Sequence, residues 1–490
     1  MLFVSLKFVI FFSVVATLYY LLPHSYRRWF LLAASSVFYM AYFPAYIAVL
    51  ISVIAIGYFS AILIDRSYGR ARKAWLVAGI SATTLLLLAF KYVGFFVGSL
   101  AGAARLFHWS CPAAVPNILL PLGLSFQTLQ SMGYMIEVYR KKQGLERNFG
   151  YYALFVMFFP IVSAGPIERA QNMLHQFREE HFFSYSLVTG GIKLMMWGVF
   201  KKVVVADRLA ILVSTVYGNP RGYIGLPLIL ATLFFSFQIY CDFSGYSDIA
   251  IGAAQVLGFR LMDNFNRPYQ AASIPEFWHR WHISLSTWFR DYVYIPLGGN
   301  RVSRPRWHFN LFITFLLSGL WHGANSTFLA WGTLHCCYYC FGAWTSPLRE
   351  RLVALSRLYR RPVLLRTLQV GTTFCLVSFA WIFFVSKSMD DAFYVVSHLF
   401  VRSPNSSQYV YMKNLLFMNS LGIDPVQFVL AFLFVLFLLL FYLFQKHEGM
   451  RALFAGRPLL LRWGLYYVLI MAVLLFGVFD KPQAFLYFRF

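Results

Sequence analysis

The chain has 490 residues, of which 60% are hydrophobic and only 12% charged, with a formal net charge of +24. Its mean hydropathy of +0.63 is too apolar for a soluble domain and marks a polytopic membrane protein. The positive charge does not point to nucleic acid: the basic residues fall in short connectors, at 27–28, 66–73, 140–142, 201–202, 301–306, 349–366 and 446–462, as positive-inside topology and anionic headgroups produce, whereas a nucleic-acid site needs a continuous basic face.

Apolar stretches long enough, or nearly long enough, to span a bilayer cover 2–22, 29–64, 75–100, 185–200, 224–240, 309–339, 364–385, 425–444 and 459–479. Some exceed one helix, so the pattern predicts roughly ten or eleven spans of an all-α membrane protein. The first has only Lys7 near its start and lacks a small-x-small cleavage site, so it reads as a retained helix. No polar stretch exceeds about 40 residues, too few for an independent core. A single membrane-embedded domain over 1–490 is expected, and no repeat is visible.

The run Cys241-Asp242-Phe243-Ser244-Gly245 closes the 224–240 stretch. Asp242 and Ser244 there suit a helix break in which their side chains bond freed backbone groups, and Ser244 is the best hydroxyl candidate for nucleophilic chemistry. No G-x-S-x-G elbow after a strand supports that chemistry.

Residues 263–305 differ in kind, being polar, aromatic and basic. Ser273-Ile-Pro-Glu276 has the form of a capping box, with Pro275 tolerated in a first helical turn, so a helix should begin there. On it Phe277, Trp281, Leu285, Trp288 and Tyr292 share one face, while His279, His282, Ser286 and Arg290 form a second stripe. Too short and charged to span, it fits a re-entrant helix or a surface-anchored one with Trp and Tyr at headgroup level. Leu297-Gly-Gly-Asn-Arg301 then reads as a turn.

Trp321-His322-Gly323 lies deep inside the next apolar run. Counting from Phe309, His322 stands roughly 20 Å into a hydrocarbon layer about 30 Å thick. A histidine at that depth is a functional candidate by default, and its plainer reading is a neutral imidazole bonded to a neighbouring helix. The cluster His335-Cys336-Cys337-Tyr338-Tyr339-Cys340 is not a metal site by spacing, because Cys336 and Cys337 project about 100° apart on a helix and no second ligand pair follows. These cysteines, with Cys111, Cys241 and Cys375, read as packing residues, and no metal or bound cofactor is expected.

Acyl transfer to a hydroxyl requires a base for the alcohol proton and a donor for the developing oxyanion. His322, desolvated and neutral, suits the base, and His282 suits orientation of the acceptor or stabilisation of charge.

The ordered set of motifs resembles the membrane-bound O-acyltransferase superfamily in its bacterial alginate O-acetylase branch. It comprises Tyr240-Cys-Asp-Phe-Ser-Gly-Tyr-Ser-Asp-Ile-Ala-Ile-Gly252, Asn264-Phe-Asn-Arg-Pro-Tyr269, Glu276-Phe-Trp-His-Arg-Trp-His-Ile-Ser-Leu-Ser-Thr-Trp-Phe-Arg-Asp291, Tyr294-Ile-Pro-Leu-Gly-Gly-Asn300 and Ser318-Gly-Leu-Trp-His-Gly-Ala324. Upstream, Pro121-Leu-Gly-Leu-Ser-Phe-Gln127, Ile136-Glu-Val-Tyr-Arg140 and Phe159-Pro-Ile-Val-Ser-Ala-Gly-Pro-Ile-Glu-Arg169 match as well. The resemblance implies a ring of tilted helices around a thinned central funnel, with a catalytic core at about 120–345 and an acyl group moved from a cytosolic thioester to an extracytoplasmic hydroxyl. It also implies that His322 is the catalytic histidine and that His282 matches the second histidine of the family's W-H-I-S-L-S motif. His279 departs from the family, which often has Arg there, and is a poorer catalytic candidate than His282.

The final Phe485-Leu-Tyr-Phe-Arg-Phe490 resembles a terminal F-x-Y-F-x-F motif of this acylation pathway. That likeness implies that Tyr487 accepts the acyl group on its phenol and relays it outward; an aromatic interfacial anchor is the other reading. The function expected is O-acetylation of an exported, alginate-like polysaccharide from cytosolic acetyl-CoA, in the bacterial inner membrane, with an extracytoplasmic acetyltransferase or esterase-like partner gripping the polymer. Peptidoglycan or another cell-wall polymer is the alternative acceptor. A secondary transporter or flippase is a third reading, and the 276–324 constellation has no second copy of the kind such folds show.

Overall fold

The computed structural model describes residues 1–94, 96–97, 121–401, 424–444, 459–479 and 485–486. Every regular element among them is helical. Among the described residues, five helices are long and apolar enough to cross a membrane: Pro44–Arg66, Gly69–Lys91, Leu226–Val256, Pro362–Val385 and Pro425–Tyr442. Large side chains such as Leu6, Ile10, Phe59, Leu85, Phe432 and Leu474 stand exposed on helix surfaces, a pattern that fits lipid rather than water as the solvent. The predicted ring of ten or eleven helices is not established by these five.

The chain forms two compact units, Met1–Met195 with Tyr246–Asp263, and Met196–Gly245 with Asn264–Arg489. In the first, the expected 29–64 stretch is two helices, His24–Met40 and Ile47–Arg66. The helix Leu124–Tyr139 packs against Ile47–Arg66 and Gly69–Lys91 and buries a polar row. Its amides reach out to neighbouring segments: Gln127 donates to Val162 O at 3.0 Å and Gln130 to Phe155 O at 2.7 Å, so polarity here fixes a loop and a helix end in place. Asn148 caps Phe149–Met157 by accepting from Gly150 N–H at 3.0 Å.

Leu226–Val256 is one helix of 31 residues, so the break expected at 241–245 does not occur. Apolar neighbours and side-chain partners hold Asp242 and Ser244 inside a continuous helix. The helix Arg304–His322 ends at Gly323, and Asn325 caps the next helix, Ser326–Trp344, with Thr327 N–H at 3.2 Å. A Cβ on Gly319 would meet Phe328 O at 2.4 Å, and one on Gly332 would meet Phe315 O at 2.5 Å. These two helices therefore touch backbone to backbone through reciprocal glycines, the close approach that small residues allow in apolar surroundings.

Lys201 and Lys202 were expected in a headgroup-facing connector. They lie instead in a π-helical segment, Phe200–Ala206, that continues Tyr185–Val199 into Asp207–Gly218. Each is only 2% exposed. Asp207 and Asp242 pair with Lys202, and the Ser244 hydroxyl accepts from Lys201.

Candidate active site

The helix start expected at Ser273 forms, with the back-bond of Glu276 falling one residue before the N-cap. Ser273 Oγ accepts from Glu276 N–H at 3.3 Å, and Glu276 Oε2 accepts from Ala272 N–H at 2.6 Å. The Glu276 carboxylate also pairs with Arg280 at 2.8 Å and Arg366 at 2.9 Å. Burial works to raise this carboxyl, but the hydrogen bonds from Arg366 and Ala272 and the charges of Arg366 and Arg280 outweigh it and hold it below the ordinary range.

The helix does not run through to Tyr292. It breaks into Ile274–Arg280 and Ile283–Phe289, followed by a π-helical turn Arg290–Tyr294. The break is His282, in the left-handed region at φ 42° and ψ 56°, a conformation disfavoured for any side-chain-bearing residue. Asn264 pins it: its carbonyl accepts from Ile283 N–H at 2.9 Å and its Oδ1 from Ser284 Oγ at 2.9 Å. The single aromatic face predicted over 277–292 is therefore divided, and His282 occupies the corner. It is 1% exposed, with its ring against Phe243 at 4.6 Å and Trp321 at 5.8 Å between centroids.

His322 is the last residue of its helix and 3% exposed. Its ring meets Trp331 and Phe384 edge-on, each at 5.1 Å, and Trp321 at 4.9 Å. Trp331 is fully buried and stacks on Trp381 at 5.7 Å, which in turn meets Trp281 at 5.1 Å. An aromatic wall thus carries both histidines, and Trp321 is the ring they share.

Other candidates separate from this pair. His279 is exposed and bonded to Pro275 O at 2.6 Å. Ser244 Oγ accepts from Lys201 Nζ at 2.8 Å. His335 is buried among Trp278, Trp331, Phe277 and Phe315, a third buried histidine that sequence reading set aside with the cysteines. Cys336 and Cys340 lie one turn apart with sulfurs 4.0 Å apart, and no metal-holding group of three His, Cys, Asp or Glu occurs among the described residues. Cys111 and Tyr487 lie outside the described residues.

Two residues before Tyr487, Phe485 is 1% exposed and packs on Phe243 at 5.6 Å. Phe243 is the same ring that abuts His282.

Residues 139–386 match the membrane-bound O-acyltransferase family. The chain belongs to that family. As a membrane-bound O-acyltransferase it is 39% identical over 393 residues to the probable alginate O-acetylase AlgI of Pseudomonas aeruginosa, covering 80% of this chain and 73% of that protein. It is 34% identical to a peptidoglycan O-acetyltransferase of Helicobacter pylori over 76% of this chain and 73% of the relative. A teichoic acid D-alanyltransferase of Bacillus subtilis is 27% identical over 46% of this chain and 61% of its own length. The segments that carry His282 and His322 both fall within the family-matched stretch.

Proposed function

We propose that this membrane O-acetyltransferase takes acetyl from cytosolic acetyl-CoA and supplies it across the bacterial inner membrane to an exported, alginate-like polysaccharide. The observation that carries the site assignment is the placement of His282 and His322 against one buried ring, Trp321. The relatives named as alginate O-acetylases support the acceptor.

In this reading His322 accepts the proton of the acceptor hydroxyl as its oxygen attacks the thioester carbonyl. The C–S bond breaks and the thiolate of CoA takes up the proton, leaving an O-acetyl ester and a thiol. His282, held rigidly by Asn264, orients the acceptor or stabilises the developing negative charge. Tyr487 is the first acceptor, because an aryl acetate gives up its acetyl more readily than a sugar ester. A second transfer, with an extracytoplasmic partner holding the polymer, returns the phenol. The packing of Phe485 one ring away from His282 supports this role for the residue two positions on. The whole chain then forms one acyltransferase domain with its core at about 120–345, in a ring of ten or eleven helices about a central funnel.

A cell-wall acceptor is the second reading, favoured by the similarity to the Helicobacter pylori enzyme. Membrane vesicles given acetyl-labelled acetyl-CoA test the reaction itself. Release of free thiol together with label on protein Tyr487, lost in His322→Ala, is the expected result. Solute movement without thiol release would point to the transporter reading instead.

A further inference from the structure

A buried charged cluster lies within the second unit and is unused by the chemistry above. Lys202 Nζ bridges Asp207 Oδ1 at 2.8 Å and Asp242 Oδ1 at 2.7 Å, with all three side chains at most 3% exposed. Burying such a set is costly, and replacing ion pairs of this kind by apolar residues is often neutral or stabilising. A role beyond stability is therefore the point to seek. The second oxygen of Asp242 supplies it: Oδ2 accepts from the backbone N–H of Leu486 at 2.8 Å.

The same helical segment holds the tail at a second place. A π-helical turn leaves backbone groups out of the regular ladder and occurs often at functional sites. In Phe200–Ala206 the Val203 carbonyl accepts from Val478 N–H at 3.0 Å, and the Arg208 guanidinium donates to Phe476 O. Beyond those contacts, Leu486 N–H on Asp242 and the Phe485 ring on Phe243 place the chain beside the ring that abuts His282.

We propose that Asp242, held by Lys202, is a positioning residue that latches the carboxy-terminal segment at Leu486, beside the Phe243 ring that abuts His282. The latch grips a backbone N–H, so it sets the register of the tail independently of side-chain identity, and only proline at 486 removes the donor. The consequence of the latch for activity rests on the reading of Tyr487 as acyl carrier; its structural effect does not.

The test uses the full chain carrying Leu486→Cys, which keeps the N–H, with maleimide labelling followed cysteine by cysteine by peptide mass spectrometry. Native Cys241, fully buried beside Asp242, reports opening of the core. Adding Asp242→Ala is expected to speed labelling at 486 by about tenfold or more while Cys241 stays unlabelled, with Asp242→Asn, which keeps an oxygen acceptor, in between. Equal rates at 486 with and without Asp242→Ala overturn the latch. Should Cys241 become labelled, two tail variants that leave the ion network intact decide the matter. Leu486→Ala is expected to exceed Leu486→Pro about tenfold in kcat for acetyl transfer, with the KM for acetyl-CoA the same in both, and equal kcat values, where Tyr487→Phe is itself inactive, overturn the proposal. Full activity of Tyr487→Phe would remove the relay reading but leave the labelling contrast standing, so the two failures are distinguishable.

Discussion

The His282 ring lies 5.8 Å from the Trp321 ring, centroid to centroid, although the two residues belong to different helices. Trp321 immediately precedes His322, whose own ring is 4.9 Å from it. A single tryptophan thus joins a histidine fixed at a backbone corner to one fixed at a helix end.

His282 offers a way to separate backbone geometry from imidazole chemistry. Glycine adopts φ 42° without penalty, whereas alanine pays about 1 kcal/mol there. His282→Gly is therefore expected to be more stable than His282→Ala by about that amount, with both strongly impaired in acetyl transfer. Thermal unfolding in detergent beside an acetylation assay checks it; wild-type activity in the glycine variant would assign His282 to structure alone.

The aromatic wall behind His322 depends on Trp331. Its truncation to alanine removes a fully buried indole and is expected to cost about 3–5 kcal/mol, whereas Trp331→Phe should retain most of the stability. Urea or thermal unfolding of the two purified variants measures the difference.

Gly319 is expected to tolerate no side chain. A Cβ there would lie 2.4 Å from Phe328 O, a backbone atom that cannot rotate away, so Gly319→Val should force the helix pair apart and cost at least about 1–3 kcal/mol. Loss of folded protein on size-exclusion chromatography, with activity falling in step, is the expected outcome; normal folding would contradict the backbone contact.

Glu276 carries a pH dependence of known sign. Its carboxyl is held below the ordinary range in the folded protein, so its contribution to stability is fully present above the unfolded-state value of about 4.3. That contribution is lost as the pH falls through the depressed folded value. Thermal unfolding from neutral pH down to about pH 3 should therefore show an acid-side loss of Tm that is smaller in Glu276→Gln. Identical pH profiles for the two proteins would show that the Arg280 and Arg366 pairs contribute nothing.

Much of this site was legible in the residues. Ser273 with Glu276 signals a helix start by local hydrogen-bond chemistry, and His322 stands out because an ionisable group in a long apolar run is rare. The corner at His282 was not legible: its left-handed backbone is imposed by Asn264, distant in sequence, against a helical periodicity that runs straight through it. Lys201 and Lys202 misled for a similar reason. A doublet of lysines between apolar runs looks like a headgroup anchor until Asp242 on another helix is seen beside Lys202. Asp242 and Ser244 in turn looked like helix breakers, when their partners Lys202 and Lys201 keep them in a continuous helix.

The central claim is best tested by measuring ester-linked acetate in separately purified extracellular polysaccharide and peptidoglycan. The samples come from a deletion strain complemented with wild-type or with well-expressed His322→Ala protein. The account predicts acetate restored by wild type alone, and in the exported polysaccharide fraction. Equal acetate with His322→Ala would contradict the catalytic assignment, and acetate restored only in peptidoglycan would contradict the proposed acceptor.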